Sequence, residues 1–156
     1  MPNGTTPSLR RALPLALAFS LSAVAAASAG ERVEVRMLNY DRDDPNRVMV
    51  YEPEIVRIEP GDTVVWVSVD AMHNAKSIDG MIPEGADSWA SPLSEDFEMT
   101  FEVEGTYGYL CQPHQMLGMV GLILVGDYTK NLEAAKAVEH AGPVQDKFDA
   151  LFARIE

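Results

Sequence analysis

The sequence predicts an antiparallel β-sandwich followed by two short helices, and three observations carry that expectation. Several short segments alternate apolar and polar residues with the period of two that marks a half-buried strand. Turn signals separate these segments, and no helical pattern is interleaved among them, which argues against a parallel α/β sheet. Only beyond residue 130 does the pattern change to one of helical spacing.

Residues 32–38 (RVEVRML) alternate Val33, Val35 and Met37 with charged neighbours and predict the first strand. Residues 39–47 (NYDRDDPNR) are polar, contain a proline and read as a solvated loop. VMVYEP and EIVRIEPGD follow, the second closing on Pro60-Gly61-Asp62, a turn signal. Residues 63–69 (TVVWVSV) are β-branched and nearly all apolar, which predicts a central strand covered on both faces. The stretch 70–95, with Gly80, Pro83, Gly85 and Pro92, is long and irregular. FEMTFEV then alternates Phe97, Met99, Phe101 and Val103, Glu104-Gly105 turns the chain into TYGYLC, and MVGLILVGD, from Met119, is the last strand. Asn131 to His140 is helical in character, with Asn131 as N-cap and Glu133 in the first turn, and His140 is read as exposed. Gly142 ends that helix and Pro143 opens a second. There Val144, Phe148, Leu151 and Ile155 fall at offsets of four, three and four and make one apolar face.

At 156 residues the chain suits one domain with a real core. Residues 1–29 read as a cleaved export signal: Arg10 and Arg11, an apolar run, then Ala27-Ser28-Ala29 of the A-x-A type. The alternative, a membrane anchor, is disfavoured because the run falls short of the ~20 apolar residues that span a bilayer. The expected domain is therefore residues 30–156, with a helical tail over 129–156, exported and, in a Gram-negative host, periplasmic. Without residues 1–29 there remain ten basic against 24 acidic residues, a formal charge of −14. Such a field disfavours nucleic acid and anionic membranes. It favours a partner with a basic docking face, or else serves solubility or adaptation to salt.

One cysteine in an exported chain has no intramolecular partner, so Cys111 is a buried free thiol, an intermolecular link or a metal ligand. Its neighbours favour the last. In YLCQPHQMLGM, His114 lies three residues beyond Cys111 and Met119 five beyond His114, all within one connection between predicted strands. His73, just after the apolar strand of residues 63–69, offers a second imidazole. Two imidazoles, a thiolate and a long axial thioether form the ligand set of electron-transfer copper. Structural zinc wants four Cys or His ligands, and this chain has one cysteine and three histidines.

At these residues the sequence resembles the cupredoxins, and within them the pseudoazurins. MLNY, VMVYEP, PGDTV, VDAMHNAKSIDGMIPEGA, YGYLCQPHQMLGMVGLILVGD and the two-helix tail stand in that family's order over nearly all of residues 31–156. The resemblance implies an all-β, cupredoxin-like Greek-key β-sandwich of eight strands with two C-terminal α-helices. It implies one type 1 copper ion held by His73, Cys111, His114 and, axially, Met119, with Met116, the nearer methionine, on an apolar rim. Asn74 would direct its backbone N–H at the Cys111 sulfur and tie the two ligand loops by its side chain. Pro113 would withhold a donor there, and Met49 would lie near the His114 ring unless it is a plain core methionine. The edge of His114 would emerge through a patch of Met116, Leu117, Pro83 and Met49. The implied activity is a one-electron shuttle, not an enzyme: a monomeric periplasmic carrier that docks transiently with copper nitrite reductase or a cytochrome c. Pseudoazurins usually ring this patch with lysines, whereas this chain has only Lys76, Lys130, Lys136 and Lys147. The alternative function is copper delivery or storage.

Overall fold

The computed structural model describes residues 30–155 together with residues 1 and 4, so the expected export signal lies almost wholly outside the described residues. Eight strands form two four-stranded sheets. The first has the order β2 (Val48–Glu52), β1 (Arg32–Tyr40), β4 (Asp62–Ser68), β6 (Phe97–Phe101). The second has the order β3 (Ile55–Ile58), β8 (Val120–Val125), β7 (Gly105–Leu110), β5 (Lys76–Ser77).

The hairpin-like neighbours are antiparallel, as expected, but β1 runs parallel to β4 and β3 parallel to β8. Alternation encodes which face of a strand is buried. The direction of a non-local pair is set by how the chain crosses between sheets, and local patterning carries no record of that.

The strands covered on both faces are β8, whose six residues are all buried, and β7, buried at all but Leu110, and not β4. Along β4 only Asp62, Val64 and Trp66 are buried, while Thr63, Val65 and Val67 are half-buried, so its outer face meets solvent despite the β-branched run. β8 is covered because the tail packs outside it. Val120, Leu122 and Leu124 share a cluster with Val144, Phe148, Leu151, Phe152 and Ile155, whereas Ile123 and Val125 face the sandwich interior. Each large side chain buried there contributes about 1.5–3 kcal/mol before ordering costs.

The tail departs from expectation at its start. The first α-helix is only α1 (Leu132–Lys136), preceded by a 3-10 turn at Tyr128–Asn131, and residues 138–141 are irregular. Asn131 does sit at the N-cap, but its side chain makes no capping bond. Its Oδ1 accepts the Thr106 N–H (2.7 Å) and its Nδ2 donates to the Thr106 carbonyl (2.8 Å), which ties the helix start to β7. His140 is accordingly outside the helix and half-buried: its ring packs on Phe148 at 4.9 Å and Nε2 lies 3.2 Å from the Met81 sulfur. Helix α2 (Pro143–Phe152) opens on Pro143 as expected.

Candidate metal centre

The loop between β7 and β8, residues 111–119, closes on itself through backbone bonds. The Cys111 N–H donates to the Met119 carbonyl (2.9 Å), and the His114 carbonyl accepts the N–H of Leu117 (2.9 Å) and of Met119 (3.3 Å). Gly118 makes the turn at φ 75°, in the left-handed region where glycine carries no side-chain penalty. A Cβ there would sit 3.1 Å from the Pro143 carbonyl oxygen, so the first turn of α2 buttresses this loop.

His73 comes from the irregular connection after β4 and is fully buried, as are Cys111 and Met119, while His114 is half-exposed. The loop brings three donor atoms into a triangle. His73 Nδ1 and His114 Nδ1 are 3.1 Å apart, and the Cys111 sulfur lies 3.7 Å from the first and 3.5 Å from the second. Met119, the first residue after the loop turn, packs in the same core cluster as Cys111. Met116, by contrast, is 68% exposed.

Residues with no assigned role in the sequence reading hold this triangle. His73 Nε2 faces Asn39 Oδ1 at 3.0 Å, and Asn39 is itself fixed by its N–H donating to Asp70 (2.7 Å). A carbonyl oxygen accepts only, so Nε2 carries the proton and the Nδ1 lone pair points at Cys111 and His114. Tyr51 donates its hydroxyl to the Asn74 carbonyl (2.6 Å) and lies beside the Cys111 sulfur. The segment VMVYEP predicts a strand, but nothing in it announces a polar contact at Tyr51. Asn74 acts as the resemblance implied. Its Oδ1 accepts the Gln112 N–H and its Nδ2 donates to Gln112 Oε1, both at 2.9 Å, and its backbone N–H is directed at the Cys111 sulfur.

Pro83 does not belong to the patch around His114. It is buried against Gly105 at the start of β7, whereas Cys111 follows its end, six residues or ~20 Å further on. Leu117 is exposed, and Met49, half-buried, joins it in lining a groove of ≈ 380 Å³ bounded by α2.

The electrostatics favour the neutral forms of the donors. Burial holds the His73 imidazole below its usual range, and His114 adds to this, against a smaller opposite pull from Asp70. Burial pushes the Cys111 thiol up, opposed by the N–H groups of Asn74 and His114 and the Tyr51 hydroxyl. Two Nδ1 atoms 3.1 Å apart repel unless a proton or a cation lies between them. A soft sulfur beside them selects a thiophilic ion that also accepts imidazole, and these residues fit copper.

Fold and donor set together define the class: a copper-binding cupredoxin. The family of copper binding proteins, plastocyanin/azurin family, matches residues 38–126. The pseudoazurin of Methylorubrum extorquens is 42% identical over 92% of this chain and 92% of its own, and that of Paracoccus pantotrophus 39% identical over 90% and 94%. The crystal structure of pseudoazurin from Methylobacterium extorquens AM1 superposes with a TM-score of 0.76 at 43% identity, covering 81% of this chain and 100% of that one. Native pseudoazurin from Hyphomicrobium denitrificans gives 0.74 at 34% identity, covering 80% and 98%. This chain belongs to the pseudoazurins, and copper is its cofactor.

Proposed function

We propose that the chain is a periplasmic one-electron carrier whose copper is held by His73, Cys111, His114 and Met119. The triangle of donor atoms already assembled within the folded chain carries this reading. When bound, the ion supplies a couple between Cu(II) and Cu(I). The protein's part is to keep the donors where they are in both states. Asn39 sets the His73 tautomer, the paired bonds between Asn74 and Gln112 lock one ligand loop to the other, and burial of Cys111 excludes water. A site so constrained exchanges an electron without rearranging. Delivery or storage of copper needs the opposite, an exposed and yielding donor set, and the burial of His73, Cys111 and Met119 argues against it.

His114 is the half-exposed ligand, and Met116 and Leu117, 68% and 55% exposed, follow it two and three residues on. An apolar rim around an exposed imidazole suits brief docking with a redox partner such as copper nitrite reductase or a cytochrome c. Near the other ligand loop Val69, Met72 and Leu93 are exposed beside Asp70, Glu95 and Asp96, which favours the basic face of a cytochrome. We place the functional domain at residues 30–156 as an exported monomer, with residues 1–29 as its cleaved signal.

Protein-film voltammetry of the copper-loaded protein tests this reading. A reversible one-electron wave that persists over many cycles is expected. Copper lost to a chelating acceptor within a few cycles would favour delivery instead.

A further inference from the structure

Three buried polar atoms have no hydrogen-bond partner among the described residues: Trp66 Nε1, Trp89 Nε1 and the Tyr109 hydroxyl. All three belong to one aromatic cluster. Each such orphan loses its hydration with no bond in return, and a phenylalanine at position 109 would pack the same ring without that cost. The Tyr109 hydroxyl and the Trp66 indole lie side by side without the geometry of a hydrogen bond. Orphaned groups of this kind call for a role other than packing.

The cluster is also continuous with the metal centre. Tyr51, beside the Cys111 sulfur, has its ring centroid 4.7 Å from that of Tyr109. Tyr109 is 5.5 Å from Trp66 and Trp66 is 5.6 Å from Trp89. The last of these is the least buried, at 7% exposure against 0–1% for the others.

We propose that Tyr51, Tyr109, Trp66 and Trp89 form a relay that drains oxidising equivalents from the Cys111 site and so protects its sulfur. The inference rests on the reading of Cys111 as a ligand of the redox centre. A strong one-electron oxidant reaching the site takes an electron from the Cys111 sulfur. The Trp66 indole returns one electron to the sulfur, and Trp89 then returns one to Trp66. No bond is made or broken. No proton moves, because the indole N–H groups have no acceptor and the Tyr51 hydroxyl donates its one proton to a peptide carbonyl, which is too weak a base to take it. The phenols therefore bridge, and the hole rests on the indoles. At Trp89 a small one-electron reductant of the ascorbate class fills it, so the oxidant gains one electron and the reductant loses one.

The test compares copper-loaded wild type with W66F, W89F and Y109F. Each is flashed with a ruthenium polypyridyl sensitiser and a cobalt(III) ammine quencher, with ascorbate present, and Cys111 sulfinate and sulfonate are then counted by mass spectrometry. The visible band recorded before each flash reports separately on the parent reading. In wild type a transient indole radical is expected, and Cys111 loss per flash should rise several-fold in W66F and W89F. Y109F should fold at least as stably as wild type, since it removes an orphaned hydroxyl. Equal Cys111 loss in wild type and both tryptophan variants, with or without an indole radical, would overturn the proposal.

Discussion

Replacing Asn74 by alanine tests how the ligand loops are joined. The side chain is 5% exposed and makes two 2.9 Å bonds to Gln112, one to its backbone N–H and one to its Oε1. Gln112 follows Cys111 directly and is exposed, so water satisfies its Oε1 once Asn74 is gone. The Gln112 N–H points inward and is left without its acceptor, a loss of about 1–3 kcal/mol. The small void adds little beside this, so the net cost is about 2 kcal/mol. For a domain of this size each kcal/mol lowers Tm by about 3–5 °C, which gives a fall of about 6–10 °C in calorimetry of the metal-free protein. Because Asn74 and Cys111 come from different loops, the variant should also widen the copper electron-spin spectrum. A fall under 2 °C with an unchanged spectrum would refute the reasoning, since the two bonds would then be holding nothing.

Other outcomes follow from the same geometry. Glu54, 7% exposed, lies against Lys147, with Arg47 at 2.6 Å and Arg154 at 3.0 Å. Burial pushes its carboxyl up, but Lys147 and Arg47 outweigh burial and the net shift is downward. With the folded value depressed, its stabilisation is complete above the ordinary carboxylate range, near 4.3, and is lost as pH falls through the folded value. E54Q should therefore cost about 2 kcal/mol at pH 7, between an exposed and a buried pair because the cations reach water. In denaturant titrations that difference from wild type should shrink below pH 4. M119Q should keep copper and lower the potential, because the axial donor tunes the couple, whereas M116A should leave it in place; voltammetry separates the two. H140A removes a ring packed on Phe148 and Met81 and should cost about 1 kcal/mol of stability, with no change in the copper spectrum.

The legible part of this protein is what period and spacing encode. The alternation of Val33, Val35 and Met37 places β1, and the spacing of Cys111, His114 and Met119 within one loop points to the centre. Where β4 departs from expectation the cause is tertiary: β-branched residues fill a half-exposed face as readily as a buried one, and the docking of α2 decides that β8 is covered on both faces. Pro83 was misplaced because adjacency in a motif says nothing of which end of β7 the motif lies against. Asn131 looked like a helix cap from its position, yet a strand with unpaired groups at Thr106 claimed its side chain. The roles of Tyr51, Asn39 and Asp70 are not legible because their contacts are non-local, 23, 34 and 31 residues away in sequence.

The central claim is that the Cys111 sulfur binds copper together with two imidazoles, and one titration addresses it. Cu(II) is added to the metal-free protein and to C111S while the visible spectrum is recorded, and each sample is then challenged with iodoacetamide. The wild type should develop an intense thiolate-to-copper band and resist alkylation, and C111S should stay colourless. A wild type that takes up Cu(II) yet stays colourless, with Cys111 freely alkylated, would contradict the account.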